Sequence, residues 1–356
     1  MKSRIDRVLE NMKTRGLTQM IVSDPKSIWY LTGIGFEPYE RLFAFLLRED
    51  GHHVFFLNNL FTVPKTEFEE VWFGDTDDYM TMVAEKVDGE APIGIDKEWT
   101  ARFLIPLMER CPNMKPVLAS DCVDDCRAVK DEKEQVLMRE ASRLNDEVIT
   151  LAFEYVKEGM TEKEVAEFIN REYKKRGASR PSFDTIVCFG KTAADPHHEP
   201  DDTVLHKGEG VLIDMGCVLN NYCSDMTRTF VCGEPSEEFV KVHNLVREAN
   251  EKAESIIKPG VRFCDIDAAA RDHIAAAGYG EYFNHRLGHF IGQTDHEQGD
   301  VSSVNTAVAK PGMIFSIEPG VYLPGKLGVR VEDLVLVTED GCEILNRVDK
   351  HLKTVG

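Results

Sequence analysis

Four carboxylates recur in this chain as two matched pairs, with one histidine lying between the pairs in sequence. Asp214 and Asp225 stand in VLIDMG (211–216) and SDMTRTF (224–230), on either side of a polar turn at Leu219-Asn220-Asn221. Glu318 and Glu332 stand in SIEPGVY (316–322) and VRVEDLVLV (329–337), on either side of Pro324-Gly325-Lys326. Folding each stretch back at its midpoint sets the two acids of a pair roughly opposite each other across an antiparallel ladder. Like charges facing each other are destabilising unless something positive sits between them. A divalent cation fills that role, and His289 supplies a nitrogen ligand. Asp214 follows Val211, Leu212 and Ile213, and Glu318 follows Ile314, Phe315 and Ile317. An acid in such apolar runs is rarely buried without a partner. The plainer alternative is four exposed strand acids paired with Arg228, Arg330 or a lysine. It accounts for any one acid but not for two hairpin pairs with a histidine between them.

Four carboxylates and one imidazole form a hard, oxygen-rich donor set that suits Mn²⁺, Co²⁺ or Fe²⁺, with Zn²⁺ also accommodated. The charge exceeds what one cation needs, which favours two metals with bridging acids. Such a pair holds a bridging hydroxide at neutral pH and polarises a carbonyl, the equipment of a hydrolase. His197 and His296 are candidates to hydrogen-bond substrate and developing charge; each alone is equally compatible with an ordinary turn or core histidine. Other chemistries find no support: there is no GxSxG elbow, HExxH helix or GxxxxGK[ST] loop, and the HxxxH spacing of His285 and His289 lacks a zincin glutamate.

The elements that must position these residues follow from periodicity. Residues 1–125 alternate strands (Gln19 to Val22, Leu42 to Leu47, Val54 to Leu57, Ile93 to Ile95) with helices at the start of the chain and after Trp99. His52 and His53, beside the Glu49-Asp50-Gly51 turn, are expected to be exposed, and Asp75 to Asp78 to form a solvated loop. A long helix is predicted from about Glu132 to Val156, with Val136, Leu137, Ala141, Leu144, Val148 and Leu151 on its apolar face. An internal repeat follows. Gly159 to Gly177 and Gly260 to Gly278 are equal spans of 18 residues, offset by 101. Each leads through a histidine-bearing segment, Pro196-His197-His198 or Asp295-His296-Glu297, to a glycine-marked strand. Asp214 comes six residues after Gly208, and Glu318 six after Gly312. This predicts an α/β (α+β) chain of two domains, 1–125 and 126–356. The second is a duplicated unit in which each half contributes one acid-bearing hairpin to a shared site.

Composition bounds the rest. At 356 residues, 42% hydrophobic and 29% charged, the chain reads as an ordinary globular protein. A net charge of −20 without a compensating basic stretch argues against nucleic acid or an anionic membrane surface; Lys174-Lys175-Arg176 reads as the last turn of a helix. Nine scattered cysteines without a CxxC pair read as free thiols in a reducing compartment. With an amphipathic start (Ile5, Val8, Leu9, Met12) and no apolar run of membrane length, a cytoplasmic location is expected.

VLIDMG, SDMTRTF, RLGHFIG (286–292), SIEPGVY and VRVED together resemble the signature of the pita-bread metallopeptidases, with Pro196-His197 and His296-Glu297 matching further positions. The N-terminal part resembles the creatinase/prolidase type. Through AADPHHEP (193–200), YCSDMTRT (222–229) and GYGEYFNHRLGH (278–289), the chain looks most like short bacterial Xaa-Pro dipeptidases. The resemblance implies a dinuclear Mn²⁺ or Co²⁺ centre: Asp214 on one metal, His289 and Glu318 on the other, Asp225 and Glu332 bridging. It implies that Glu318 handles the proton of the attacking water. His197 and His296 would stabilise the tetrahedral intermediate and hold the proline side, while Arg330 would orient a ligand or meet the substrate carboxylate. A homodimer acting on proline-containing dipeptides follows from the same likeness. An Xaa-Pro aminopeptidase acting on longer peptides is the alternative, ahead of a metal-free creatinase-like hydrolase or a non-catalytic binding protein. The chain departs from the pattern in three places. Gln298-Gly299-Asp300 lacks the arginine that some prolidases carry after the His-Glu pair. His198 replaces a frequent glycine, and Phe290-Ile291 replaces a smaller pair.

Overall fold

The computed structural model describes residues 2–356. They form two compact units, the first ending at Arg127 and the second spanning Ala128–Gly356.

The first unit is built on a six-stranded sheet. Its order is Glu69–Phe73, Val54–Asn58, Ala44–Arg48, Gln19–Val22, Pro92–Ile95, Lys115–Leu118. Side chains alternate between two cores, as the two-residue strand period requires. Phe45, Leu47, Phe55 and Leu57 enter one core, while Ala44, Leu46, Val54 and Phe56 enter the other. Burial on both faces explains why these strands read as continuous apolar runs. The opening helix Arg4–Thr14 starts at a capping box between Ser3 and Asp6. His53 departs from expectation: it is buried, its Nδ1 accepting the Arg48 N–H at 3.2 Å and its ring packed against Phe45 and Phe68. His52 is exposed. A buried ring that satisfies a backbone donor needs no solvent and no metal.

The second unit carries the duplication. Helix Glu132–Tyr155 and helix Glu162–Lys175 both begin at capping boxes, Asp131 with Glu134 and Thr161 with Glu164. They pack on a four-stranded sheet ordered Thr354–Val355, Met226–Cys232, Gly210–Met215, Ile186–Phe189. In the other half, helices Glu237–Ser255 and Phe263–Ala276 pack on a five-stranded sheet ordered Glu297–Val301, Gly288–Phe290, Ile314–Ile317, Asp333–Val337, Cys342–Ile344. The helix starts are pinned alike: a bridge joins Thr161 to Val204, and a corresponding one joins Arg262 to Val308. Gly159 and Gly260, both with positive φ, donate N–H to Leu205 and Ala309 carbonyls at 2.9 Å in each case. A buried helix asparagine in each half reaches the strand beside the acid, Asn145 to the Met215 carbonyl at 2.9 Å and Asn250 to that of Ile317 at 2.8 Å. Among the described residues, no helix is long and apolar enough to cross a membrane.

Candidate metal centre

Both acid-bearing hairpins change sheets at the acids. The first pairs Gly210–Met215 with Met226–Cys232, then continues as Cys217–Leu219 against Tyr222–Cys223. Its turn is the two residues Asn220 and Asn221, both left-handed (φ 51° and 68°), a conformation asparagine tolerates better than most side chains. That turn sets Asp214 opposite Thr227. Extending the register puts Asp225 opposite Gly216, so the acids are diagonal neighbours on one face. The second hairpin has the three-residue turn Pro324-Gly325-Lys326, and Ile317 pairs with Asp333, which sets Glu318 directly against Glu332. The expectation of facing acids therefore holds for the second pair, while the first is displaced by two residues.

His289 lies on the short strand Gly288–Phe290, and its Nε2 is 3.5 Å from both Asp225 Oδ2 and Glu318 Oε1, joining the two pairs. Ser316 fixes this geometry: its hydroxyl accepts the His289 N–H at 3.0 Å and donates to Glu318 Oε1 at 3.0 Å. The His289 Nδ1 lies 3.2 Å from the Phe290 carbonyl, which leaves Nε2 directed at the acids. Asp225, His289 and Glu332 present ligand atoms within 4.8 Å of one another.

The electrostatics of this cluster call for a cation. Burial, then the neighbouring Asp214 and Asp295, pushes the Asp225 carboxyl well above its usual range. Burial, then Asp225, Glu318 and Asp214, does the same to Glu332. Glu318 is raised to about 7, chiefly by burial, against the pull of His289 and Arg330. Asp214 Oδ1 and Asp225 Oδ1 are buried without a hydrogen-bond partner. Orphaned carboxylate oxygens and mutually repelling acids are what a cation-binding site looks like before its charge is supplied.

Arg330 is buried, and each of its three nitrogens has a partner. Nη2 donates to Asp214 Oδ2 at 2.6 Å, Nη1 to the Tyr322 hydroxyl at 2.9 Å, and Nε to Thr227 Oγ1 at 3.0 Å. Thr227 in turn donates to Glu332 Oε2 at 2.7 Å. One arginine thus orients an acid from each pair, directly or through a hydroxyl.

A pocket of about 730 Å³ opens over the cluster, and all eight residues singled out in the sequence line it: His197, Asp214, Asp225, His289, His296, Glu318, Arg330 and Glu332. The His296 ring lies on that of His289, centroids 3.9 Å apart, and burial lowers its pKa to about 4 with His289 as the next cause. His197 is exposed at the rim, its N–H donating to Asp195 Oδ1 at 3.0 Å. Its neighbour His198 is tied down instead, Nε2 lying 2.7 Å from Oε2 of the buried Glu162. Glu162 also accepts from Phe189 N, Thr192 Oγ1 and Asp201 N, so it anchors the segment that presents His197.

The structure adds residues to this wall that the motifs did not single out. His285, four residues before His289, lines the pocket with Nε2 3.0 Å from the Tyr322 hydroxyl. Its HxxxH spacing was visible, but a zincin was the only mechanism attached to it. Asp295 also lines the pocket and raises Asp225; its signal was adjacency to His296.

The Creatinase/Prolidase N-terminal domain pattern matches residues 4–129, and the Metallopeptidase family M24 pattern matches residues 136–339, more than half the chain. The chain belongs to metallopeptidase family M24. Its second unit has the pita-bread fold of that family, preceded by the creatinase-type domain. An uncharacterized peptidase of Staphylococcus haemolyticus is 40% identical over 98% of this chain and 100% of its own length. Among solved structures, recombinant prolidase from Thermococcus sibiricus superposes with a TM-score of 0.94 at 33% identity, covering all of both chains. The X-Pro aminopeptidase of Thermotoga maritima superposes at 0.84 with 31% identity, over 97% of this chain and 100% of its own.

Proposed function

We propose that this M24 protein is an Xaa-Pro dipeptidase that releases proline from dipeptides, using two divalent ions, Mn²⁺ first among them. The observation that carries the reading is the convergence of Asp214, Asp225, His289, Glu318 and Glu332 beneath one pocket, with two carboxylate oxygens left unpartnered. The likeness to a prolidase over both full chains supports the substrate class. Asp214 would hold one ion, His289 and Glu318 the other, with Asp225 and Glu332 shared. Such ions polarise a carbonyl and lower the pKa of water.

The remaining steps fall to the chain's own side chains. Arg330 and Thr227 keep Asp214 and Glu332 aimed while their charges are unbalanced. Glu318, with one oxygen held by Ser316, keeps its other free to take the proton of the attacking water. His296 and His197 border the substrate volume, where a neutral imidazole can donate to a developing oxyanion or hold the proline side. Low pKa values keep His296 and His285 neutral at pH 7. A tertiary Xaa-Pro amide has no N–H, so a pocket that asks for none accepts what ordinary peptidases reject. Nine free cysteines, seven of them buried, support a reducing cytoplasmic setting, and a homodimer completes the proposal.

The test is hydrolysis of Met-Pro, Leu-Pro and Leu-Pro-Gly by chelator-stripped protein resupplied with Mn²⁺. Metal-dependent cleavage of the dipeptides alone supports the reading. Cleavage of the tripeptide in preference makes the protein an Xaa-Pro aminopeptidase, and no cleavage at all sinks both.

A further inference from the structure

The pocket contains two arginines that differ in what they touch. Arg330 has a protein partner for each of its three nitrogens: Asp214, Tyr322 and Thr227. Arg286 is the opposite case. It lines the same pocket, is half-buried, and forms no ion pair among the described residues, although Asp184, Glu199 and Asp295 line that pocket too. Among the described residues, its one side-chain hydrogen-bond contact is Nη2 to His296 Nδ1 at 3.4 Å.

Its backbone, by contrast, is pinned. The Arg286 carbonyl lies 2.7 Å from His285 Nδ1, Arg271 donates to the His285 carbonyl at 2.8 Å, and the following Leu287 N–H donates to Val301 at 2.9 Å. A guanidinium that leaves a pinned backbone and holds no carboxylate is available to an anion, and its planar fork matches a carboxylate. Its position narrows the ligand. Arg286 touches His296, whose ring lies on His289, so the guanidinium stands beyond the acid cluster on the His296 side. In an Xaa-Pro dipeptide the C-terminal carboxylate lies one residue beyond the scissile carbonyl, roughly 3.5 Å further along the chain.

We propose that Arg286 binds the C-terminal carboxylate of the substrate and so selects dipeptides with a free carboxylate over amides and longer peptides. This rests on the Xaa-Pro dipeptidase reading above. A longer peptide places a neutral amide at the guanidinium and carries its carboxylate outward, which forfeits a charge-assisted pair in a partly desolvated site.

The experiment compares metal-loaded wild type, Arg286→Met and Arg286→Lys on Leu-Pro, Leu-Pro amide and Asp-Pro, with inhibition by L-proline and L-prolinamide as an independent readout. Wild type is expected to favour Leu-Pro over its amide by about 10- to 100-fold in kcat/KM, the range of a charge-assisted hydrogen bond. Arg286→Met should collapse that ratio, chiefly through KM, and weaken inhibition by proline but not by prolinamide. Arg286→Lys should fall between, since it keeps the charge and loses the fork. An unchanged acid-to-amide ratio in Arg286→Met, or equal losses on both substrates, overturns the assignment. A loss confined to Asp-Pro overturns it too, by giving Arg286 to the Xaa side chain. Absence of any Xaa-Pro cleavage by wild type with Mn²⁺ or Co²⁺ is a different failure, which removes the dipeptidase reading and this inference with it.

Discussion

Arg330 and Asp214 form the closest charged contact of the site, buried on both sides and 2.6 Å apart. Removing one partner of such a pair leaves an uncompensated buried charge, typically costing about 3–5 kcal/mol. Arg330→Met is therefore expected to lower the unfolding free energy of the metal-free protein by that order, measured by denaturant titration, and to recover part of it when Mn²⁺ is added. A cost below about 1 kcal/mol, the worth of an exposed pair, would mean that Arg330 is not what holds Asp214. Asp225→Asn removes a ligand charge at the centre of the cluster. Its kcat should fall by more than the roughly 10- to 100-fold that losing an outer-shell partner costs, together with metal retention, as read by elemental analysis after gel filtration. At this scale the sequence was informative because acids in apolar runs are anomalous. It was less so for Arg330, two of whose three partners, Thr227 and Asp214, lie more than 100 positions away, and for His285, whose neighbour Tyr322 comes from the second acid-bearing hairpin.

Where the turn is centred between its acids decides how they meet. The two-residue Asn220-Asn221 turn leaves Asp214 and Asp225 diagonal, and the three-residue Pro324-Gly325-Lys326 turn sets Glu318 and Glu332 face to face. Sequence alone showed two hairpins but not this offset, since a polar run of three residues does not say how many of them leave the ladder. The helix Glu237–Ser255, with Ser236 as its N-cap, was likewise not singled out by the repeat, although it matches Glu132–Tyr155 in the other half. The strand bearing His289 depends on a close backbone approach. A Cβ at Gly288 would lie 1.9 Å from the Ser316 carbonyl oxygen, and backbone cannot yield as a flexible side chain can. Gly288→Ala should therefore push His289 away from Glu318 and lower metal affinity as well as stability, the latter by about 1–3 kcal/mol as for overpacked cores. Calorimetry with and without Mn²⁺ measures both, and a variant matching wild type in each would show that the strand has slack.

Within the second unit, two similar halves each bring one hairpin to the shared centre, so the site depends on the integrity of both cores. His243 reports on that dependence. It sits fully buried on the helix Glu237–Ser255, Nε2 2.9 Å from the Thr229 carbonyl, and burial lowers its pKa to about 4. The unfolded chain takes up this proton near pH 6.5 while the folded protein resists until about pH 4. His243 thus costs nothing above pH 6.5, and stability is lost as pH falls from 6.5 toward 4, by about 3 kcal/mol in all. The stability advantage of wild type over His243→Gln should shrink by that order between pH 7 and pH 4 in urea titrations. A difference independent of pH would contradict it. The duplication was legible from glycine spacing, because each repeat needs the same left-handed position before its helix.

The central question is whether the acid cluster holds cations. Calorimetric titration of chelator-stripped protein with Mn²⁺, run beside Asp225→Asn, tests it most directly. Two ions should bind per wild-type chain, with hydrolysis of Leu-Pro appearing as they load, and at least one ion should be lost in the variant. Undiminished binding by Asp225→Asn, or Leu-Pro hydrolysis by protein that binds no metal, would contradict it.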